Sequence, residues 1–340
     1  MLFLDAPLPT SWLIASIALG IAIVLGVAYG FWRWRQFLDT QAAKLQAQIA
    51  KDSHELDLDA RQGEERFVTI RDRQDSLDLN IAYRQCGHGP DLLLLHGIGA
   101  SKMIYRRLAP LMSSEYRVTA LDFPGFGQSS KPRELRYDLD EQAAHLATIV
   151  KALELKKPLV VASSMGGAIC LTTALSDPDL FRGIVAIAPA TDPTRIPTAL
   201  LPLAKHGESF HKFNSEKVRA TIVRTVVNQV IARRELITPG LLSLYFEPFR
   251  RSELASAAFL KAFRLLADRR MPLIFRELKT PLLIVRGLRD RLVKQSSSED
   301  LRRIVTHSQL VTHPTGGHHL MEDEPEFVAD EVRKFAAKLD

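Results

Sequence analysis

From position 67 onward, short apolar runs alternate with stretches whose apolar residues return every three or four positions. Residues 67–70 and 79–83 read as paired strands with a turn around Asp75. Asp91-Leu92-Leu93-Leu94-Leu95 is apolar without alternation, which is the pattern of a strand buried on both faces. Runs at 117–121, 159–162, 183–187, 280–287 and 308–313 predict further strands. Helical spacing appears over 141–153, after Ser164 through Leu175, and over 325–339. Strands alternating with helices predict βαβ units, a mostly parallel sheet and an α/β fold class.

Two stretches break this rhythm. Between Thr191 and Lys279 no strand run occurs; basic amphipathic helices are predicted instead, at 216–235 and 253–270. The stretch reads as an inserted helical lid. At the other interruption, Ser11 to Trp32 carries about 22 residues without a charge. At about 1.5 Å per residue it spans roughly 33 Å, enough for a bilayer core. Trp12, Tyr29, Trp32 and Trp34 sit where interface anchors belong. A cleaved signal peptide would need a basic start and a shorter apolar core, whereas the only early side-chain charge is Asp5. Arg33, Arg35, Lys44 and Lys51 follow the run, so an N-terminus outside and a cytoplasmic catalytic domain are expected. The expected organisation is a transmembrane anchor at 1–35, a polar amphipathic linker at 36–65, a core at 66–190 and 280–340, and a lid at 191–279.

Composition changes this picture little, but charge placement adds to it. Hydrophobic residues make 46% of the chain and charged residues 25%, ordinary for a globular protein. Cys86 and Cys170 match no metal spacing and are too few for a disulfide scaffold. The net charge is +6, yet residues 191–279 alone hold 16 Lys/Arg against 8 Asp/Glu. The basicity is therefore local to the lid, where Phe210, Phe213, Tyr245, Phe246, Phe249 and Phe259 accompany it. An anionic lipid surface is a partner that such a face suits. No nucleic-acid-binding motif is present, and the aromatics read as lid core.

The strand at 159–162 runs into Ser163-Ser164-Met165-Gly166-Gly167 and then a helix. A serine on a sharp strand-to-helix turn, with small neighbours, fits the nucleophile elbow pattern G-x-S-x-G. Gly166 follows Ser164 by two, which selects Ser164 over Ser163; Ala162 stands at the first glycine. A serine needs a base and an acid that orients it. His318 follows the last predicted strand in Gly316-Gly317-His318-His319, and His319 is expected at the surface or behind it. Asp290 follows the strand at 280–287; Asp192, after 183–187, is the rival acid. The backbone N–H groups of Ile98 and Met165 are candidate oxyanion donors. His96 and Asp122 are expected to brace loops by hydrogen bonding. Neither a cofactor nor a metal is expected.

Taken in order, Leu-His-Gly-Ile-Gly, Asp-Phe-Pro-Gly-Phe-Gly-Gln-Ser, Ser-Ser-Met-Gly-Gly, Gly-Leu-Arg-Asp and Gly-Gly-His-His resemble the α/β-hydrolase superfamily. With the apolar N-terminal run, the layout resembles membrane-anchored monoacylglycerol lipases of the α/β-hydrolase-domain type. The resemblance implies an α/β-hydrolase fold with a helical lid and an N-terminal transmembrane helix. It implies a serine ester hydrolase acting on a lipid or other apolar acyl ester through Ser164, His318 and Asp290. It also leaves open hydrolysis of a carbon–carbon bond in a dienoic diketone by the same three residues. A fold that has kept its shape without catalysis is the non-enzyme alternative.

Overall fold

A computed structural model describes residues 63–72, 77–192, 216–250, 253–268 and 270–339, with scattered helical positions between 26 and 44. Its elements in chain order begin with β1 (Glu65–Arg71), β2 (Asp78–Cys86), β3 (Asp91–Leu95), α1 (Leu108–Met112) and β4 (Arg117–Leu121). There follow α2 (Leu139–Ala152), β5 (Leu159–Ser163), α3 (Met165–Ser176) and β6 (Gly183–Ile187). Helices α4 (Glu216–Val230), α5 (Pro239–Arg250) and α6 (Glu253–Leu266) intervene before β7 (Leu282–Gly287). The chain continues through α7 (Gln295–Ile304), β8 (Gln309–His313), α8 (Leu320–Asp323) and α9 (Pro325–Ala336).

The strands form one eight-stranded sheet in the order β1-β2-β4-β3-β5-β6-β7-β8. Only β1–β2 and β2–β4 pair antiparallel; every later pair is parallel. The alternation of side chains across a strand divides the apolar runs between two cores. Leu93, Leu95, Val160, Ala162, Ile184 and Ile284 meet α2 and α3 through Leu146, Ile149 and Ile169. Leu92, Leu94, Val161, Val185 and Val285 face the other way, toward Leu108 and Met112 of α1 and Val328 and Val332 of α9. Leu92 to Leu95 are wholly buried, and each side chain contributes about 1.5–3 kcal/mol. The doubly covered sheet follows from those unbroken apolar runs.

Several boundaries differ from the sequence expectation for local reasons. Helix α2 begins earlier than position 141 because the Asp138 carboxylate accepts from the Glu141 N–H at 3.0 Å. That is an N-cap. Helix α4 stops at Val230 rather than 235. There the Ala232 and Arg233 N–H groups turn away to donate to the Asp323 carboxylate.

One expectation is overturned. The single-pass placement, with the N-terminus outside and the catalytic domain cytoplasmic, does not stand: among the described residues no helix is long and apolar enough to cross a membrane. The described helical positions run through Arg33, Arg35, Asp39 and Lys44, too charged for a bilayer core. Of the predicted anchor run, only positions 26, 29 and 32 are described; the rest, and most of the 36–65 linker, lie outside the described residues.

Candidate active site

Parallel strands place their carboxyl ends on one edge of the sheet, and three loops leave from that edge. Ser164 leaves β5, Asp290 follows β7 and His318 follows β8.

Ser164 takes φ 52° and ψ −116°, a conformation that side-chain-bearing residues avoid. Backbone bonds on both sides hold it there. Its N–H donates to Ile187 O at 2.9 Å, and its own carbonyl accepts from Gly167 and Ala190 N–H, each at 3.0 Å. The small residues around it are required by contact. A Cβ at Gly166 would lie 2.5 Å from His96 O, and one at Gly167 would lie 2.8 Å from Pro189 Cβ. Ala162, at the place of the motif's first glycine, fits inside the sheet with no exposure. Ser164 itself is buried, at 6% exposure.

Asp290 Oδ2 and His318 Nδ1 lie 2.8 Å apart, with both side chains buried. Asp290 Oδ1 accepts from the Leu292 and Val293 N–H groups at 2.8 and 3.0 Å, which fixes the carboxylate plane. Burial pushes the Asp290 carboxyl up, but the His318 ring and these donors outweigh it and hold the group below its ordinary value. An ionised Asp290 accepts from Nδ1–H, so the neutral His318 ring keeps a lone pair on Nε2. That is the tautomer a general base needs. The rival acid lies elsewhere: Asp192 Oδ2 accepts from Ser297 Oγ at 3.1 Å, tying the β6 loop to α7.

The loop after β3 passes beside the serine. A Cβ at Gly97 would lie 3.0 Å from Ser164 Cβ and 3.6 Å from its Oγ. Ala100 N–H donates to Gly97 O at 3.3 Å, and Gly99 takes φ 69°, as the third position of a type II turn demands. The Ile98 N–H is left outside the turn's own bonding. Met165 is the first residue of α3, so its N–H has no carbonyl one turn back. The Met165 N–H thus follows the serine directly, and the Ile98 N–H belongs to the turn whose Gly97 passes beside it.

His96 and Asp122 brace this loop, as their positions in the sequence suggested. Phe123 N–H donates to His96 Nε2 at 3.1 Å, so Nδ1 carries the proton and donates to Gly97 O at 2.7 Å. Burial lowers the pKa of His96 and keeps the ring neutral. Asp122 Oδ1 accepts from Lys102 N–H and Oδ2 from Lys102 Nζ, both at 2.7 Å. Lys102 Nζ also pairs with Glu65 at 2.7 Å, so a buried ion network spans β1 and both loops.

Sequence reasoning missed three features, the tyrosine partner of His319, the carboxylate behind the His318 loop and the close approach at Gly287. His319 is buried, at 4% exposure, and its Nδ1 lies 2.6 Å from the Tyr245 hydroxyl on α5. Asp323 collects the Gly317, Ala232 and Arg233 N–H groups at 2.8, 3.0 and 3.0 Å, joining the His318 loop to the end of α4. Neither could be read locally, because each pairs residues far apart in the chain. The third is Gly287 at the end of β7, where a Cβ would stand 2.0 Å from Gly316 O. Gly287→Ala is expected to push the His318 loop off the strand, at a cost of about 1–3 kcal/mol in stability. Chemical denaturation should read that loss, together with a lower kcat.

An apolar cavity of about 110 Å³ opens beside Ile98 and Gly99. Ile222, Val223, Val226, Phe249, Phe259 and Leu260 form its walls, with Tyr245 at one side. Arg219 is, among the described residues, the one charged residue of the lining. Among the described residues no group of His, Cys, Asp and Glu is arranged to hold a metal.

The comparisons agree with this architecture. A hydrolase of Bacillus subtilis (strain 168) of uncharacterised activity is 27% identical over 244 residues, covering 72% of this chain and 89% of the relative. The 2-hydroxy-6-oxo-6-(2'-aminophenyl)hexa-2,4-dienoic acid hydrolase of Metapseudomonas resinovorans is 26% identical over 262 residues, 75% of this chain and 87% of that one. Among solved structures, a membrane phospholipase A described as a bacterial virulence factor superposes with a TM-score of 0.67 at 26% identity, covering 96% of this chain and 99% of the other. The family model for the alpha/beta hydrolase fold matches residues 90–325, more than half of the sequence, and the chain belongs to that family.

Proposed function

We propose that the protein is a serine hydrolase of carboxylic esters with apolar acyl chains, monoacylglycerol or a similar acyl ester being the substrate class. The observation that carries this reading is a strained, buried serine and an Asp-paired histidine leaving the same edge of the sheet, with an apolar cavity beside the neighbouring Ile98-Gly99 turn. In the mechanism, the Ser164 hydroxyl attacks the ester carbonyl while His318 Nε2 takes its proton. Asp290 keeps the imidazole in the required tautomer and stabilises its charge. Negative charge on the former carbonyl oxygen is met by the Ile98 and Met165 N–H groups. His318 returns the proton to the departing alcohol. Water then attacks the acyl-enzyme, again with His318 as base, and the acid leaves. Residues 191–279 act as the lid that supplies the acyl cavity; the cavity-lining residues of α4, α5 and α6 support this.

The phospholipase A neighbour supports an acyl-ester substrate, and the dienoic acid hydrolase relative supports the carbon–carbon alternative. The cavity favours the ester through its apolar walls, Ile222, Val223, Val226, Phe249, Phe259 and Leu260, which suit an acyl chain. A panel of glyceryl and p-nitrophenyl esters of increasing acyl length, with a dienoic diketone beside them, tests the choice. Turnover should fall on esters of medium or long chains. Turnover of the diketone alone would overturn the ester reading, and failure to react with a fluorophosphonate would remove the serine mechanism altogether.

A further inference from the structure

The inference rests on the ester-hydrolase reading and concerns how the enzyme selects acyl length. Tyr245 belongs to two places. Its ring lines the apolar cavity, and it stacks on His319 with centroids 5.6 Å apart and planes at 24°. His319 in turn stacks on His318, at 5.4 Å and 28°. Three rings therefore run in series from the cavity wall to the proposed base, whose far side is held by Asp290. All three are buried.

The links of this series are stiff. The Tyr245 hydroxyl and His319 Nδ1 share one hydrogen bond of 2.6 Å. Burial raises the tyrosine pKa well above, and lowers the histidine pKa well below, its ordinary value, so both groups are neutral and one proton sits between them. Breaking that bond leaves two buried polar atoms unpaired, so the two rings move as a unit. The His319 N–H donates to Val230 O at 3.0 Å, at the end of the cavity-lining helix α4. A shift of the cavity wall is therefore passed to the loop that carries His318.

We propose that Tyr245 and His319 are positioning residues that couple filling of the acyl cavity to the alignment of His318, so that long apolar chains are preferred through kcat and not through KM alone. An acyl chain that fills the cavity presses the Tyr245 ring into its place in the stack. A short chain leaves that ring room to tilt, and His319 and His318 tilt with it. Proton transfer is sensitive to displacements of this kind. Binding energy gained along the acyl chain is then realised at the reacting centre rather than in affinity.

The test measures kcat and KM separately for acetyl, butanoyl, octanoyl and dodecanoyl p-nitrophenyl esters with the full chain. Wild type, Tyr245→Phe and His319→Phe are compared, each with thermal melting and fluorophosphonate labelling. In wild type kcat should rise by about tenfold from acetyl to octanoyl, a modest part of what misplacement can cost. Tyr245→Phe keeps the cavity wall but loses the bond; its kcat should vary by less than about twofold across the series, while KM still falls with chain length. His319→Phe should show the same flattening. A wild-type kcat independent of acyl length overturns the coupling, and that result needs no variant to fold. So does a Tyr245→Phe series parallel to that of wild type, since Tyr245 would then be wall only. Absence of both labelling and ester turnover in wild type would instead remove the ester-hydrolase reading on which the coupling rests.

Discussion

Ser164→Ala is expected to lower kcat for ester hydrolysis by a factor of about 10⁶, the loss seen when the nucleophile of such a triad is removed. Alanine deletes the attacking oxygen and nothing else at the turn, so the backbone bonds to Ile187, Gly167 and Ala190 remain. Fluorophosphonate labelling should vanish while the thermal unfolding curve stays in place. The companion variant separates chemistry from strain. Ser164→Gly also removes the nucleophile but relieves the φ of 52°, and should raise unfolding free energy by about 1 kcal/mol. A protein that still turns over ester with alanine at 164 would place the nucleophile elsewhere. One destabilised by glycine would deny that the turn stores strain.

The second large effect belongs to Asp290→Asn, with kcat expected to fall about 10⁴-fold. Asparagine can still accept from Leu292 and Val293 N–H through its carbonyl oxygen. Its amide then offers hydrogens to His318 Nδ1, which drives the ring proton onto Nε2 and leaves no base facing the serine. Substrate KM should change little, because Asp290 is not among the cavity-lining residues. The stability of the two proteins should also diverge with pH. The Asp290 carboxyl is held below its ordinary value near 3.9, so its contribution is present above that pH and disappears as pH falls through the lower folded value. Denaturation of wild type and variant across the acid range should show their difference shrinking toward low pH. A gap that widens there would mean that His318 does not stabilise the carboxylate.

How much of this was legible in the sequence depends on how local each signal is. Strands β3, β5, β6 and β7 are mainly apolar runs buried at every position, which only a sheet covered on both faces allows, so the fold could be read directly. The strained turn at Ser164 was legible because a serine between a strand and Gly166-Gly167 marks a sharp strand-to-helix corner. The pairing of Asp290 with His318 was legible from the order in which they follow their strands. Helix α7, Gln-Ser-Ser-Ser-Glu-Asp-Leu-Arg-Arg-Ile, gave no apolar period to read, since only Ser297, Ser298 and Leu301 are buried. The partners of His319 were hidden because Tyr245 and Val230 come from the insertion. Part of the positive charge of the insertion is also offset by nearby carboxylates, although the arginines that carry it stay exposed. Arg233 and Arg250 meet Glu235 and Glu247, and Arg270 meets both Asp268 and Asp140.

The Asp323 carboxylate sets a rule for anyone who would transplant the insertion between relatives. It accepts two consecutive N–H groups from the chain just beyond α4 and one from Gly317. A foreign segment grafted here must therefore leave its helix at the same place and present two free amides in the same direction. A graft that instead continues its helix by one more turn would strand a buried anion, and the penalty would fall on the histidine loop of the recipient rather than on the graft itself.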